Sequence, residues 1–142
     1  MTGSRLFRVL DVNLNRAREG LRVCEEVARL VLEDPSLTRR CQRLRYAVDK
    51  TGRLLPRGKL LKARDSQRDI GRPEKRGPVG KHKRVRELAS ANLKRAQEAL
   101  RVLEEFSRLV YPAASRSFGS LRFKAYSLEK AFDQRSKTVR HR

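Results

Sequence analysis

The stretch NLNRAREGLRVCEEVARLV, residues 13–31, returns as NLKRAQEALRVLEEFSRLV at residues 92–110. Thirteen of the nineteen positions are identical without a gap, where chance would give about one or two for residue types this common. Weaker likeness continues downstream. Leu44-Arg45-Tyr46 resembles Leu121-Arg122-Phe123, although Tyr46 also matches Tyr126. The chain therefore reads as two copies of one unit joined by an insert.

Each unit reads as a helical hairpin. In the first copy apolar residues fall at Leu6, Leu10, Leu14, Ala17, Leu21, Cys24, Ala28 and Val31, in steps of three and four, the period of one helix face. Asp34-Pro35 stops this helix and starts another, with Pro at the first helical position. Leu37, Cys41, Leu44 and Val48 give the second helix its stripe. In the second copy the long helix runs from about Arg84 to Val110. Tyr111-Pro112 ends it, and a Ser115-capped helix carries Phe118, Leu121, Ala125, Leu128 and Phe132. A two-helix unit cannot bury its stripe alone. The pattern predicts an all-α fold, a four-helix bundle of two duplicated hairpins related by a pseudo-twofold axis. The expected organisation is a single domain, 1–142, with hairpins at 5–50 and 84–137. Between them lies a long basic connecting loop, 51–83, where Gly and Pro argue against regular structure through most of its length. The end, RSKTVRHR, reads as a frayed basic tail.

Lys plus Arg number 36 against 16 Asp plus Glu, a net charge of +20. That favours anionic partners: nucleotides, phosphorylated metabolites, nucleic acid or an acidic surface. Trp is absent and aromatics are 6%, so the core rests on Leu, Val and Ala. No apolar run reaches the roughly 18 residues of a membrane span, and the N-terminus lacks the hydrophobic stretch of a signal peptide. A reducing cytoplasm is the default expectation. Cys24 and Cys41 fit no metal or redox spacing and read as buried free thiols. Bundles with leftover apolar edges pair readily, so a homodimer is an expected partner state.

Two constellations could carry chemistry. The first is the repeated Asn-x-x-Arg-x-x-Glu-x-x-Arg: Asn13, Arg16, Glu19 and Arg22, then Asn92, Arg95, Glu98 and Arg101. Each three-residue step turns back by about 60° on a helix. Asn13 then lies within the buried face, Arg16 at its edge and Arg22 in solvent. Gly20, or Ala99 in the second copy, leaves space one turn beyond the Arg. A polar and a cationic residue turned inward need partners. One reading is structural: the asparagines cap or bridge helices, and the arginines pair with carboxylates. The other is an anion pocket between the hairpins lined by Asn13, Arg16, Asn92 and Arg95, because guanidinium forks match phosphate oxygens. The adjacent Glu25-Glu26 and Glu104-Glu105 read as solvated surface. The second constellation is Arg64-Asp65-Ser66-x-x-Asp69-Ile70-Gly71 in the insert. Asp65 and Asp69 could hold Mg²⁺, with Arg64 on a transferring phosphoryl group. The same two carboxylates could equally cap a turn or pair with nearby Arg. There is no Gly-rich phosphate loop, dinucleotide fingerprint or metal-spaced His, and His82 and His141 receive no role.

Taken together, NLNRAREGLRVCEEVARLV, ARDSQRDIG, NLKRAQEALRVLEEFSRL and the closing LRF with Tyr126-Ser127-Leu128-Glu129-Lys130 resemble one family. It is the small bacterial hydroxymethylpyrimidine phosphate kinase of thiamine biosynthesis, which occurs alone or fused ahead of thiamine phosphate synthase. The resemblance runs from about Arg8 to Lys130, with the motifs in the family's order. It implies ATP-dependent phosphorylation of 4-amino-5-hydroxymethyl-2-methylpyrimidine phosphate to the diphosphate, with ATP and Mg²⁺ required and the free alcohol ignored. Matching positions here are Asn13, Arg16, Glu19, Gly20, Arg22 and Glu25; Arg64, Asp65, Asp69 and Gly71; and Asn92, Arg95, Glu98, Arg101, Glu104 and Glu105. The resemblance itself assigns these positions no roles; read from their chemistry, one of Arg16 and Arg95 would hold the substrate phosphate, Arg16 being the first choice, and the other the nucleotide phosphates, with the two copies interchangeable. Asp65 and Asp69 bind Mg²⁺, and Arg64 contacts the moving group. The acceptor is a phosphate oxygen already anionic near neutral pH, so no general base is expected. The insert beyond Gly71 and both termini are more basic than the family's pattern, leaving room for weak non-specific nucleic-acid binding. The synthase part is absent from these 142 residues, so the product is expected to pass to a separate protein. The competing functions are a basic helical nucleic-acid-binding module and a ligand-free helical adaptor.

Overall fold

The structure is a computed structural model that describes residues 2–72, 80–82 and 84–140. The basic run just beyond Arg72 and His141 lie outside the described residues. Five α-helices account for the fold, and no strand occurs among the described residues. They are α1 (Thr2–Glu26), α2 (Pro35–Gly52), α3 (Arg57–Ala63), α4 (Val85–Val110) and α5 (Pro112–Arg140).

The helix boundaries follow from local chemistry. α1 runs into a single π-helical turn, Val27–Val31, which leaves Leu30 and Val31 exposed. Glu33 then takes a left-handed conformation, φ 49°. Asp34 caps α2 by accepting from the Leu37 amide at 3.0 Å, with Pro35 pre-set for the first turn. Arg135, near the far end of α5, reaches back to Asp34 at 3.1 Å and to the Leu32 carbonyl at 3.4 Å. The connection is thereby tied down from the opposite hairpin.

The long helices pack in a ring: α1 on α2, α2 on α5, α5 on α4, and α4 on α1. The anticipated stripes form the core except at the two ends of the first, where Leu6 is half-buried and Val31 is exposed. Leu10, Ala17, Leu21, Cys24, Leu93, Ala96, Leu100, Leu103 and Phe118 are fully buried. α1 and α4 run antiparallel, since Gly20 meets Asn92 and Ala96 while Cys24 meets Ala89. Small residues set this crossing. A Cβ built on Gly20 would sit 2.7 Å from the Asn92 carbonyl oxygen, too close for any residue but glycine.

The expected irregularity holds for most of the described insert, with two helical pieces: α2 extends to Gly52, and α3 follows Pro56. The apolar Leu60 of α3 buries against the bundle, which offsets the cost of ordering this short helix. The C-terminal segment expected to fray is helical through Arg140. The thiols are free and buried, as anticipated. Among the described residues no helix is long and apolar enough to cross a membrane.

Candidate functional site

The repeated asparagines have symmetrical fates. Asn13 donates its Nδ2 to the Val9 carbonyl, and Asn92 donates to the Leu88 carbonyl, each at 2.9 Å and four residues back. Both are buried in the α1–α4 seam. Bonding back to their own helices satisfies them without any ligand. Arg16, Glu19, Arg95 and Glu98 are exposed, and none makes an ion pair or hydrogen bond among the described residues. The expected inward pocket of Asn13, Arg16, Asn92 and Arg95 is therefore corrected: the asparagines lie inside the seam and the arginines outside it. The space read beside Gly20 is filled by α4 backbone. An arginine at the edge of a stripe then carries its head out to water.

In the insert, Arg64 forms a two-pronged ion pair with Asp11, Nε to Oδ2 and Nη2 to Oδ1, both 2.8 Å. Asp11 is buried on α1. Hydrogen bonding to Asp11, and then its charge, holds the Arg64 guanidinium above its ordinary range. Arg8 also donates to the Asp65 carbonyl at 3.1 Å. These contacts clasp the insert to α1. Asp65 Oδ1 accepts from the Arg68 amide at 3.2 Å, and its Oδ2 lies 3.5 Å from Arg68 Nε. Asp69 Oδ1 accepts from the Gly71 amide at 2.7 Å. Both carboxylates thus cap turns. No group of three or more His, Cys, Asp or Glu able to hold a metal occurs among the described residues.

Glu25 was expected in solvent and is instead 2% exposed. Its Oε1 accepts from Arg45 Nε and Nη2, each at 2.9 Å, and its Oε2 from Gln42 at 3.4 Å. Burial alone would lower the Arg45 pKa, but hydrogen bonding to Glu25 and its charge outweigh that and raise it. The second copy repeats the arrangement: Glu104 pairs with Arg122 at 3.3 Å. Arg22 and Arg101 flank the two sites in the same way. The neighbours Glu26 and Glu105 are partly exposed, as expected for the outer residue of each Glu-Glu step. The sequence did carry a signal for the buried pair. Arg45 and Arg122 occupy matching positions in the weaker downstream repeat, on the helices facing Glu25 and Glu104.

Both arginines stack on the ring that follows them, Arg45 on Tyr46 at 4.8 Å and Arg122 on Phe123 at 4.9 Å. The copies diverge at Tyr126, whose ring lies 5.8 Å from the Arg122 guanidinium and whose hydroxyl accepts from Arg122 Nη1 at 3.3 Å. The Arg122 Nε is buried and lacks an acceptor, an unpaired charged donor of the kind that structures rarely tolerate. Arg122, Arg101, Lys94, Gln97, Glu98 and Tyr126 line an open cleft of about 640 Å³ between α4 and α5. Lys94 and Tyr126 also border a second cleft, of about 800 Å³. Ala89, Leu93 and Phe132 lie behind its walls, nearly closed to solvent, and its charged side chains are of both signs: Arg86, Lys94 and Lys130 with Glu87, Glu129 and Asp133. Neither cleft is lined by Asn13, Arg16, Asn92 or Arg95.

A family model described as the ThiD2 family matches residues 8–131. The chain belongs to the ThiD2 family. Among curated relatives, the thiamine-phosphate synthase of Synechocystis sp. (strain PCC 6803) is 44% identical over 124 residues, covering 87% of this chain and 35% of the relative. That of Thermosynechococcus vestitus is 40% identical over 129 residues, covering 91% and 36%. That of Rhodopirellula baltica is 34% identical over 122 residues, covering 86% and 32%. The chain thus spans about a third of the length of the relatives it matches. No solved structure matches at a significant level.

Proposed function

We propose that this chain acts in thiamine biosynthesis as an enzyme that transfers the γ-phosphoryl group of ATP to hydroxymethylpyrimidine phosphate. The terminal P–O bond of ATP breaks, a new P–O bond forms to an oxygen of the substrate phosphate, and ADP leaves. The product diphosphate carries the leaving group that a later coupling step needs. The observation behind this reading is membership of the ThiD2 family, in a stretch shared with proteins named thiamine-phosphate synthase. The basic α4–α5 surface supports it. Two polyanions must be brought together, and transfer of this kind depends on positioning and charge neutralisation. Lys94, Arg101 and Arg122 supply positive charge along one edge. The acceptor oxygen is already anionic, so its attack needs no protein base. Mg²⁺ would bind largely through nucleotide phosphates with few protein ligands.

The test is incubation with ATP, Mg²⁺ and a panel of phosphorylated pyrimidines and their free alcohols, read by mass. The expected products are the pyrimidine diphosphate and ADP, with the free alcohol untouched. Failure to convert the phosphate, or equal use of the alcohol, refutes the reading. Lys94→Ala and Arg101→Ala should each lower turnover. Loss of turnover in Arg16→Ala and Arg95→Ala, with Lys94→Ala and Arg101→Ala intact, would move the site to the outer rim of the α1–α4 seam.

A further inference from the structure

The two hairpins are built alike but are not used alike. In the repeat alignment Phe7, Arg8 and Asp11 of α1 match Arg86, Glu87 and Ser90 of α4. On α1 these three residues are covered by the insert. The Lys59 ammonium lies 5.6 Å over the Phe7 ring, Arg8 holds the Asp65 carbonyl, and Asp11 grips Arg64. On α4 the matching three residues line the open cleft of about 800 Å³. Among the described residues, one groove of the pseudo-symmetric pair is covered by the insert and the other is not.

The charge at the mouth diverges in the same sense. Asn15, Arg18 and Asp49 of the first copy match Lys94, Gln97 and Tyr126 of the second. In the first copy Arg18 pairs with Asp49 at 3.0 Å and also bonds Asn15, so the corner neutralises itself. In the second copy the carboxylate is replaced by a tyrosine. Gln97 turns to Glu129 at 2.9 Å, and Lys94 makes no ion pair among the described residues. Lys94 therefore stands without an ion pair among the described residues where the two clefts meet, beside the Tyr126 ring, with Glu98 and Glu129 on the surrounding walls.

We propose that ligand binding is confined to the second repeat, where the α4–α5 groove takes a phosphorylated heteroaromatic ring. The flat ring lies against Tyr126, which is 43% exposed, and the phosphate lies toward Lys94, Arg101 and Arg122. An exposed aromatic face offers a stacking surface, and a cation at one end fixes the orientation of an anionic ligand. The groove itself rests on the comparison of the two repeats. Only the identity of its ligand as the pyrimidine phosphate rests on the function proposed above.

The test is calorimetric titration of the full chain with hydroxymethylpyrimidine phosphate, with ATP and with glycerol phosphate, the last a phosphate ester lacking a ring. Lys94→Asn and Tyr126→Asp each install the first-repeat residue. Lys94 is exposed, so its variant should fold, as circular dichroism would verify. Lys94→Asn should weaken the ring phosphate by about tenfold, the loss of one charged hydrogen bond, and Tyr126→Asp should weaken it by about tenfold or more through loss of the ring contact and repulsion of the phosphate by the new carboxylate. Asn15→Ala, at the matching first-repeat position, should change nothing, and glycerol phosphate should bind far more weakly than either ring phosphate. The pyrimidine phosphate and ATP arms show which ring phosphate the groove prefers. Equal affinity in wild type and both variants would overturn the assignment even if kinase turnover persisted. Absence of ring-phosphate binding to the wild type would also overturn it. Variant-sensitive binding without turnover would uphold the groove while removing the kinase reading.

Discussion

Gly20→Ala tests the α1–α4 seam by the sign of its effect. In an open helix interior, alanine is better than glycine by about 0.5–1 kcal/mol, because glycine loses more backbone freedom on folding. Were there room beside Gly20, the substitution would stabilise the protein. The added Cβ instead meets the Asn92 carbonyl oxygen at 2.7 Å, with the Ala96 amide nitrogen at 3.6 Å and Cβ at 3.7 Å. A carbon and a carbonyl oxygen sit comfortably at about 3.3–3.6 Å. The obstacle is backbone, so no side chain can swing away and the two helices must part by about half an ångström or more. Overpacking of this kind costs about 1–3 kcal/mol, which outweighs the propensity gain. The net expectation is a loss of about 1–2 kcal/mol, or roughly 3–6 °C in Tm for a chain of this size. Urea unfolding followed by circular dichroism would show a lower midpoint with an unchanged slope. The matched position already carries alanine, buried to 2% exposure, so Ala99→Gly should also destabilise, by about 1 kcal/mol. A raised midpoint for Gly20→Ala would refute the tight crossing and reopen the case for a cavity beside Arg16.

The buried Glu25 ion pair should be worth more to the fold than its copy at Glu104. Glu25 is 2% exposed with contacts of 2.9 Å, whereas Glu104 is 14% exposed with contacts of 3.3–3.9 Å. Glu25→Ala strands a largely buried Arg45 and should cost about 3–5 kcal/mol. Glu104→Ala should cost about 1–3 kcal/mol, and denaturant midpoints reversing that order would refute the argument. The thiols give a pH prediction. Burial, then the neighbouring Glu25 charge, pushes Cys41 up to about 12, and burial pushes Cys24 up further. A folded pKa above the unfolded value of 9.0 means the unfolded chain releases these protons first. Their contribution is therefore fully present below pH 9 and declines as pH rises from there toward 12. Replacing both cysteines with alanine should flatten that decline. Native protein at pH 8 should also resist iodoacetamide until urea unfolds it, and prompt alkylation without urea would contradict the burial.

Periodicity and the duplication made most of the scaffold legible. Leu37, Cys41, Leu44 and Val48, read from spacing alone, are all core residues, and Asp34-Pro35 marked a real helix start. These are local signals, set by the helical repeat and by capping. What could not be read was anything decided by contacts between distant segments. Glu25 looks like any surface carboxylate until Arg45 arrives from the next helix. Asp11 and Arg64 are far apart in sequence and meet only because Leu60 seats α3 on the bundle. Gly20 looked like vacant space because the approach of α4 cannot be inferred from α1.

Repetition also pointed in the wrong direction, for a reason built into pseudo-symmetry. A twofold bundle needs every packing device twice: two buried asparagines bonded back to their helices, and two glutamates turned inward, one fully and one mostly, with two arginines to meet them. Selection for a stable scaffold therefore keeps matched positions alike, as at Asn13 and Asn92 or Glu25 and Glu104. A binding groove need be built only once, and the twin groove is then a liability, an exposed cleft with uncompensated charge. Closing it takes an internal plug and an internal salt bridge, which are what α3 and the Arg18–Asp49 pair provide on the first hairpin. In a duplicated fold of this kind, the informative positions for function are those where the copies disagree: Asp11 against Ser90, Asn15 against Lys94, and Asp49 against Tyr126.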